Sequence, residues 1–188
     1  SLKDGGGAIT TGSNVIDLQD SDGNSLGVAD GDTIELSYVK GEDTVTETIS
    51  VGTGTTVADL TSTDIDTSVN ADNDLTFTAN SSGISSSVNG ITMTVKNSSG
   101  EVKSAATDAL SNFQETTTAK DVRTDGTATF QIGANSSQSL SLDVENMGSN
   151  HLGVAGVKVE TQSQANTAIT ALDNAIQKVS AERAELGS

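Results

Sequence analysis

Apolar and polar positions along this chain fall into two regimes. Over most of its length apolar residues alternate with polar ones in short runs, whereas over residues 161–187 they recur every three or four. The clearest alternation spans residues 33–40, with Ile34, Leu36 and Tyr38 on one face and Thr33, Glu35 and Ser37 on the other. Residues 44–51 alternate again, with Val45, Ile49 and Val51 inward; Glu47 interrupts that set and predicts an edge or a bulge. Joined through Lys40, Gly41, Glu42 and Asp43, these runs predict a β-hairpin. Weaker strand patterns cover residues 15–18, 75–79 and 91–95, and a second hairpin covers 127–132 and 140–144. Residues 55–60 and 105–113 predict short helices. Residues 62–74, rich in aspartate, read as a polar loop.

The last regime is different in kind. Ala165, Ile169, Leu172, Ile176, Val179 and Leu186 recur at heptad spacing, and Arg183 fills the one seam position that is not apolar. That pattern belongs to a helix that lies along other helices. Thr161 and Gln164 form a T-x-x-Q capping box at its start, and Gly187 can close its end in the left-handed conformation. A helix with one apolar stripe gains most of its stability from packing. No other segment has a matching period, so the rod is expected to lack its partner within this chain. The partner would lie outside the chain, on a second copy, or both; the alternative is that the seam packs on the chain's own sheet. The fold class expected is α+β, mostly β. A flexible glycine-rich entry with little to pack (1–14) precedes a compact β-rich domain (15–121). A hairpin and one long heptad-patterned helix follow (122–188).

Composition narrows the function. The formal charge is −17, from 26 acids against 9 bases, which argues against nucleic acid and anionic membrane surfaces as partners. No run approaches the apolar length of a membrane span. Cysteine is absent, so disulfides, zinc-thiolate sites and cysteine nucleophiles are excluded. Aromatics are 2% of residues, and the core must therefore be built from aliphatic side chains. The chain starts at Ser1 without a methionine or an apolar leader, and is expected to be a piece of a longer protein.

Candidate chemistry is sparse. Asp20, Asp22 and Asn24 have the start of a calcium-loop spacing, but Gly23 is misplaced and Gly31 stands where the loop needs glutamate; a turn is the better reading. Asp64, Asp66, Asp72 and Asp74 read as a solvated acidic loop rather than a cation site. His151 is the single histidine, with nothing in the sequence to bring an acid and a nucleophile to it. No phosphate-cradle, metalloprotease or nucleophile-elbow motif is present. An enzyme is not expected, and no cofactor or metal is implied. Asn80, Asn97 and Asn135 each begin an Asn-Ser-Ser acceptor pattern.

One resemblance organises the rest. Phe130-Gln-Ile-Gly-Ala-Asn135 with Gln138, then Leu152-Gly-Val, then residues 168–176 and 179–187 in that order, resemble bacterial flagellin. Ile169, Leu172, Asp173, Ala175, Ile176, Val179, Arg183, Leu186 and Gly187 fit the family's C-terminal helix pattern. The resemblance covers about residues 127–188. It implies a structural subunit of the secreted flagellar filament, supporting motility by assembly with its own kind. It also implies that the seam packs on long N-terminal helices not found here, and that residues 1–120 are a surface-exposed insertion. By the same resemblance Arg183 lies where an innate immune receptor reads flagellin, and the full-length protein meets an export chaperone. The isolated piece is expected to be monomeric. A hook–filament junction protein and a glycan-binding module carried by the β-rich unit are the alternatives.

Overall fold

The computed structural model describes residues 2–117, 119, 128–131, 139–142 and 145–187. The strands in chain order are β1 (Lys3–Asp4), β2 (Gly7–Ala8), β3 (Leu18–Gln19), β4 (Thr33–Lys40), β5 (Asp43–Ser50), β6 (Ile65–Val69), β7 (Leu75–Ala79) and β8 (Val88–Lys96). Helix α1 (Ser104–Leu110) follows, then the hairpin β9 (Ala128–Gln131) and β10 (Ser139–Leu142). A one-turn helix α2 (Ser149–Leu152) leads to the long α3 (Gln162–Leu186). The fold is α+β and mostly β, as the pattern predicts.

The central element is an antiparallel sheet in the order β5-β4-β8. The predicted hairpin is present, in the register Ile34↔Ile49, Leu36↔Glu47 and Tyr38↔Val45. Alternation places Ile34, Leu36 and Tyr38 of β4, with Met93 and Val95 of β8, on one face, where all are fully buried. Val15, Leu18, Val57, Leu60, Ile65, Ala106 and Leu110 belong to the same core. Phe77 and Phe113 meet edge to face at 5.0 Å, one of the few aromatic contacts so aliphatic a core can make. Glu47 lies on β5, an edge strand; the bulge is on β8, between Ser37 and Val39 of its partner.

The outer edge of β8 is closed by α1 rather than by a strand. Thr107 Oγ1 accepts from the Val95 N–H at 3.0 Å, Ser111 Oγ accepts from the Met93 N–H at 3.0 Å, and the Lys103 N–H donates to Val95 O at 2.8 Å. Two side chains and the backbone N–H of Lys103 thus satisfy ladder groups that would otherwise be an open template for another strand.

Several expectations need correction. The glycine-rich entry does pack: β1 pairs with both β2 and β3, and Ile9 is buried. Residues 15–18 are a 3-10 turn, Val15–Asp17, before β3 begins. The acidic loop over 62–74 contains β6, which pairs with β7 from Ile65↔Ala79 to Val69↔Leu75. Its Ile65, Thr67 and Val69 alternate beneath the run of aspartates. The short helix at 55–60 is a 3-10 turn, Val57–Asp59, with the Asp59 carboxylate accepting from the Thr56 N–H at 2.8 Å. Gly187 takes a right-handed conformation at φ −97°, not the left-handed cap, with its N–H on Arg183 O. Phe130 lies in the observed second hairpin, whereas Ile132 and Val144 fall outside the described residues.

Candidate assembly surface on the C-terminal helix

Helix α3 runs for 25 residues, about 37 Å at 1.5 Å per residue. Thr161 Oγ1 accepts from the Gln164 N–H at 3.2 Å, as a capping residue should; Gln164 Oε1 reaches one residue further back than the usual box, to the Glu160 N–H at 3.1 Å.

The rod does have a partner within the chain, contrary to expectation, but not through its seam. Ser163, Thr167, Ala168, Ala171 and Ala175 are its buried residues, and they lie against β8 and β4. This second face consists of small residues, and the sheet face beneath it is equally small: Ser37, Val39, Thr92 and Thr94 are buried there. Thr92 Oγ1 and Thr167 Oγ1 share a buried hydrogen bond of 2.7 Å across the contact. At the bulge Gly90 has φ +63°; a Cβ there would stand 2.7 Å from Thr167 O and 2.9 Å from the Ala171 N and Cβ. The helix sits almost on the strand backbone, and only glycine allows it.

The seam lies roughly 120° around the helix from this buried face, counting about 100° per residue. Ile169 is 61% exposed, Leu172 47%, Ile176 63% and Leu186 45%. Ala165 and Val179 are half-buried along the same line. Arg183 is exposed on that side too; the carboxylate next to it in sequence, Glu182, accepts the Glu145 N–H at 3.0 Å. Lys178 forms an ion pair with Glu115 at 3.0 Å, which ties the helix to the segment after α1. α3 is therefore fastened on one side and left bare and apolar on another. The pattern of large apolar residues points to the bare side. Nothing in hydropathy singles out the small-residue face, which sequence reasoning missed; the recurrence of Ala and Thr at helical spacing is the signal that could have shown it.

The other candidates resolve as structure. Asp20 Oδ1 accepts from the backbone N–H groups of Asp22 and Asn24, and Asn24 Nδ2 donates to Oδ2, so the turn is self-contained. The Asn24 amide holds the Asp20 carboxyl below its ordinary pKa. Asp64 pairs with Lys40 at 2.5 Å and accepts from the Tyr38 hydroxyl at 3.2 Å. The Lys40 bond lowers the Asp64 pKa, while burial is the main cause that pushes the Tyr38 phenol up to about 12. Among the described residues no three acidic or histidine side chains gather as a metal site. His151 lines an open depression of about 900 Å³ with Glu42, Asp43 and Asn150, beside the tip of the β4–β5 hairpin. Asn80 and Asn97 each sit in or beside a turn, with Asn80 Nδ2 donating to Thr63 O and Asn97 Oδ1 accepting from two backbone N–H groups; Asn135 lies outside the described residues. No helix among the described residues is long and apolar enough to cross a membrane.

The chain is 42% identical over 67 residues to "Putative flagellin YvzB" of Bacillus subtilis (strain 168), a match that spans 35% of this chain and 41% of that one. No family model and no solved structure matches. The chain is thus similar, over about a third of its length, to a protein described as a flagellin.

Proposed function

We infer that this chain is part of a structural subunit of a flagellin-type filament, exported and assembled outside the cell. The observation that carries the reading is the bare stripe of Ile169, Leu172, Ile176 and Leu186 on a helix already anchored through another face. A helix that only needed to complete its own domain would not present four large apolar side chains to water. Covering Ile169, Leu172 and Ile176 with neighbouring helices of the assembly would contribute about 1–2 kcal/mol each, given how much of each is already shielded. The partial likeness to a flagellin supports helices of such an assembly as the neighbours. In this reading the β5-β4-β8 sheet lies on the flank away from the helical wall, and its hairpin tips project outward as decoration.

The test uses a flagellated cell whose filament is built from the full protein carrying this chain. Replacing Ile169 and Ile176 by aspartate should abolish filaments in electron micrographs and stop swimming, while Thr48→Asp on the exposed side of β5 should leave both intact. Normal filaments from the double variant would refute the reading.

A further inference from the structure

We propose that the bare stripe of α3 also pairs with the same stripe of a second copy, antiparallel, about a two-fold axis midway between Gln177 and Lys178. This departs from the monomer expected of an isolated piece, and it follows from the stripe itself rather than from the filament reading.

The argument is one of register and charge. In an antiparallel helix pair, each a position faces a d position of the partner. Taking Ile169, Ile176 and Arg183 as a, and Leu172, Val179 and Leu186 as d, the seam is its own mirror image about that axis. Ile169 meets the second copy's Leu186, Ile176 meets its Val179, and Leu172 meets its Arg183. Every layer is apolar except the Leu172–Arg183 layer, second from each end, and there the charge finds an answer. Asp173 is exposed beside Leu172, within reach of a guanidinium arriving at that layer. The two-fold forms this Asp173–Arg183 pair twice. A parallel pair in register would instead set Arg183 against Arg183 in an otherwise apolar seam, which selects against that orientation.

The geometry leaves room. The buried face of α3 ends at Ala175 and lies roughly 120° from the stripe, so each copy's sheet sits to the side of the seam and toward its own end of the paired helices. The interface is short, at the lower end of specific interfaces, so the association constant should be modest, with Kd on the order of tens of micromolar. Two bodies of charge −17 repel each other, so added salt should strengthen the pair by screening that repulsion.

The experiment is sedimentation equilibrium of the intact chain across a concentration series, joined to distance measurement by spin labels. The native chain has no cysteine, so single cysteines at Gln177 and at Gln162, both exposed, place labels without interference. Antiparallel pairing should give about 10–20 Å at Gln177 and about 45 Å at Gln162, whereas parallel pairing gives the short distance at both. Asp173→Arg should weaken association about tenfold or more, Arg183→Asp likewise, and the double swap should restore it to within a few-fold. Circular dichroism of each variant checks that the fold survives. A monomer at all concentrations up to about 1 mM, short distances at both sites, or a double swap that fails to restore pairing would each overturn the proposal. None of these outcomes touches the filament test, which asks whether the stripe is needed inside an assembly in the cell.

Discussion

Gly90→Ala is the sharpest probe of how α3 is held. Two costs act at this position. An alanine at φ +63° is in the left-handed region, which costs about 1–2 kcal/mol. Its Cβ would also stand 2.7 Å from Thr167 O and 2.9 Å from Ala171, so the helix must lift or the strand must bend. Overpacking of that kind costs about 1–3 kcal/mol more, giving about 2–5 kcal/mol in all. Gly100→Ala is the control: φ is +82°, but nothing lies within 4 Å of the added carbon, so the conformational cost acts alone. Urea denaturation followed by circular dichroism gives both values. The difference between the two variants, about 1–3 kcal/mol, measures the seating of the helix on the strand. Equal losses would mean that α3 does not rest on β8, and the account of its buried face would fail.

Two further predictions concern the opposite face of the sheet and its outer edge. Tyr38 is the single tyrosine and no tryptophan is present, so its ionisation can be followed directly by ultraviolet difference absorbance; it should titrate near 12 in the folded chain against an ordinary value of 10.0. Because the folded value is raised, the neutral phenol's contribution to stability is complete below pH 10 and is lost as the pH climbs toward 12; a midpoint near 10 would show Tyr38 to be solvated. Thr107→Val keeps the shape of α1 but leaves the Val95 N–H without its acceptor, which should cost about 1–3 kcal/mol in thermal or urea unfolding; a neutral result would show that the edge of β8 is not closed by that hydroxyl.

What could be read from the sequence followed contrast. The β4–β5 hairpin was legible because Ile34, Leu36 and Tyr38 alternate against polar neighbours, and its observed register agrees with that alternation. Strand β6 is obscured because only Ile65 and Val69 are apolar in it, and Asp64, Asp66, Asp72 and Asp74 surround them with the charge of a loop. The stripe on α3 was legible from its spacing, but spacing alone does not say whether a stripe is covered. Its exposure became clear only when a second face, made of Ser, Thr and Ala, was found against Thr92 and Gly90. Such a face carries no hydropathy signal, because close approach and not large apolar area is what it provides. The bulge at Gly90 was invisible for the same reason: a missing Cβ leaves no trace in a pattern of side chains.

The direct seating of α3 on the sheet has a mechanical consequence. With no loop or compressible layer between the helix and the strand backbone at Gly90, a push on the rod is delivered to the β-strands undamped. Bending or twisting of whatever the rod is built into would swing the β4–β5 hairpin through the same angle, like a vane fixed to its shaft.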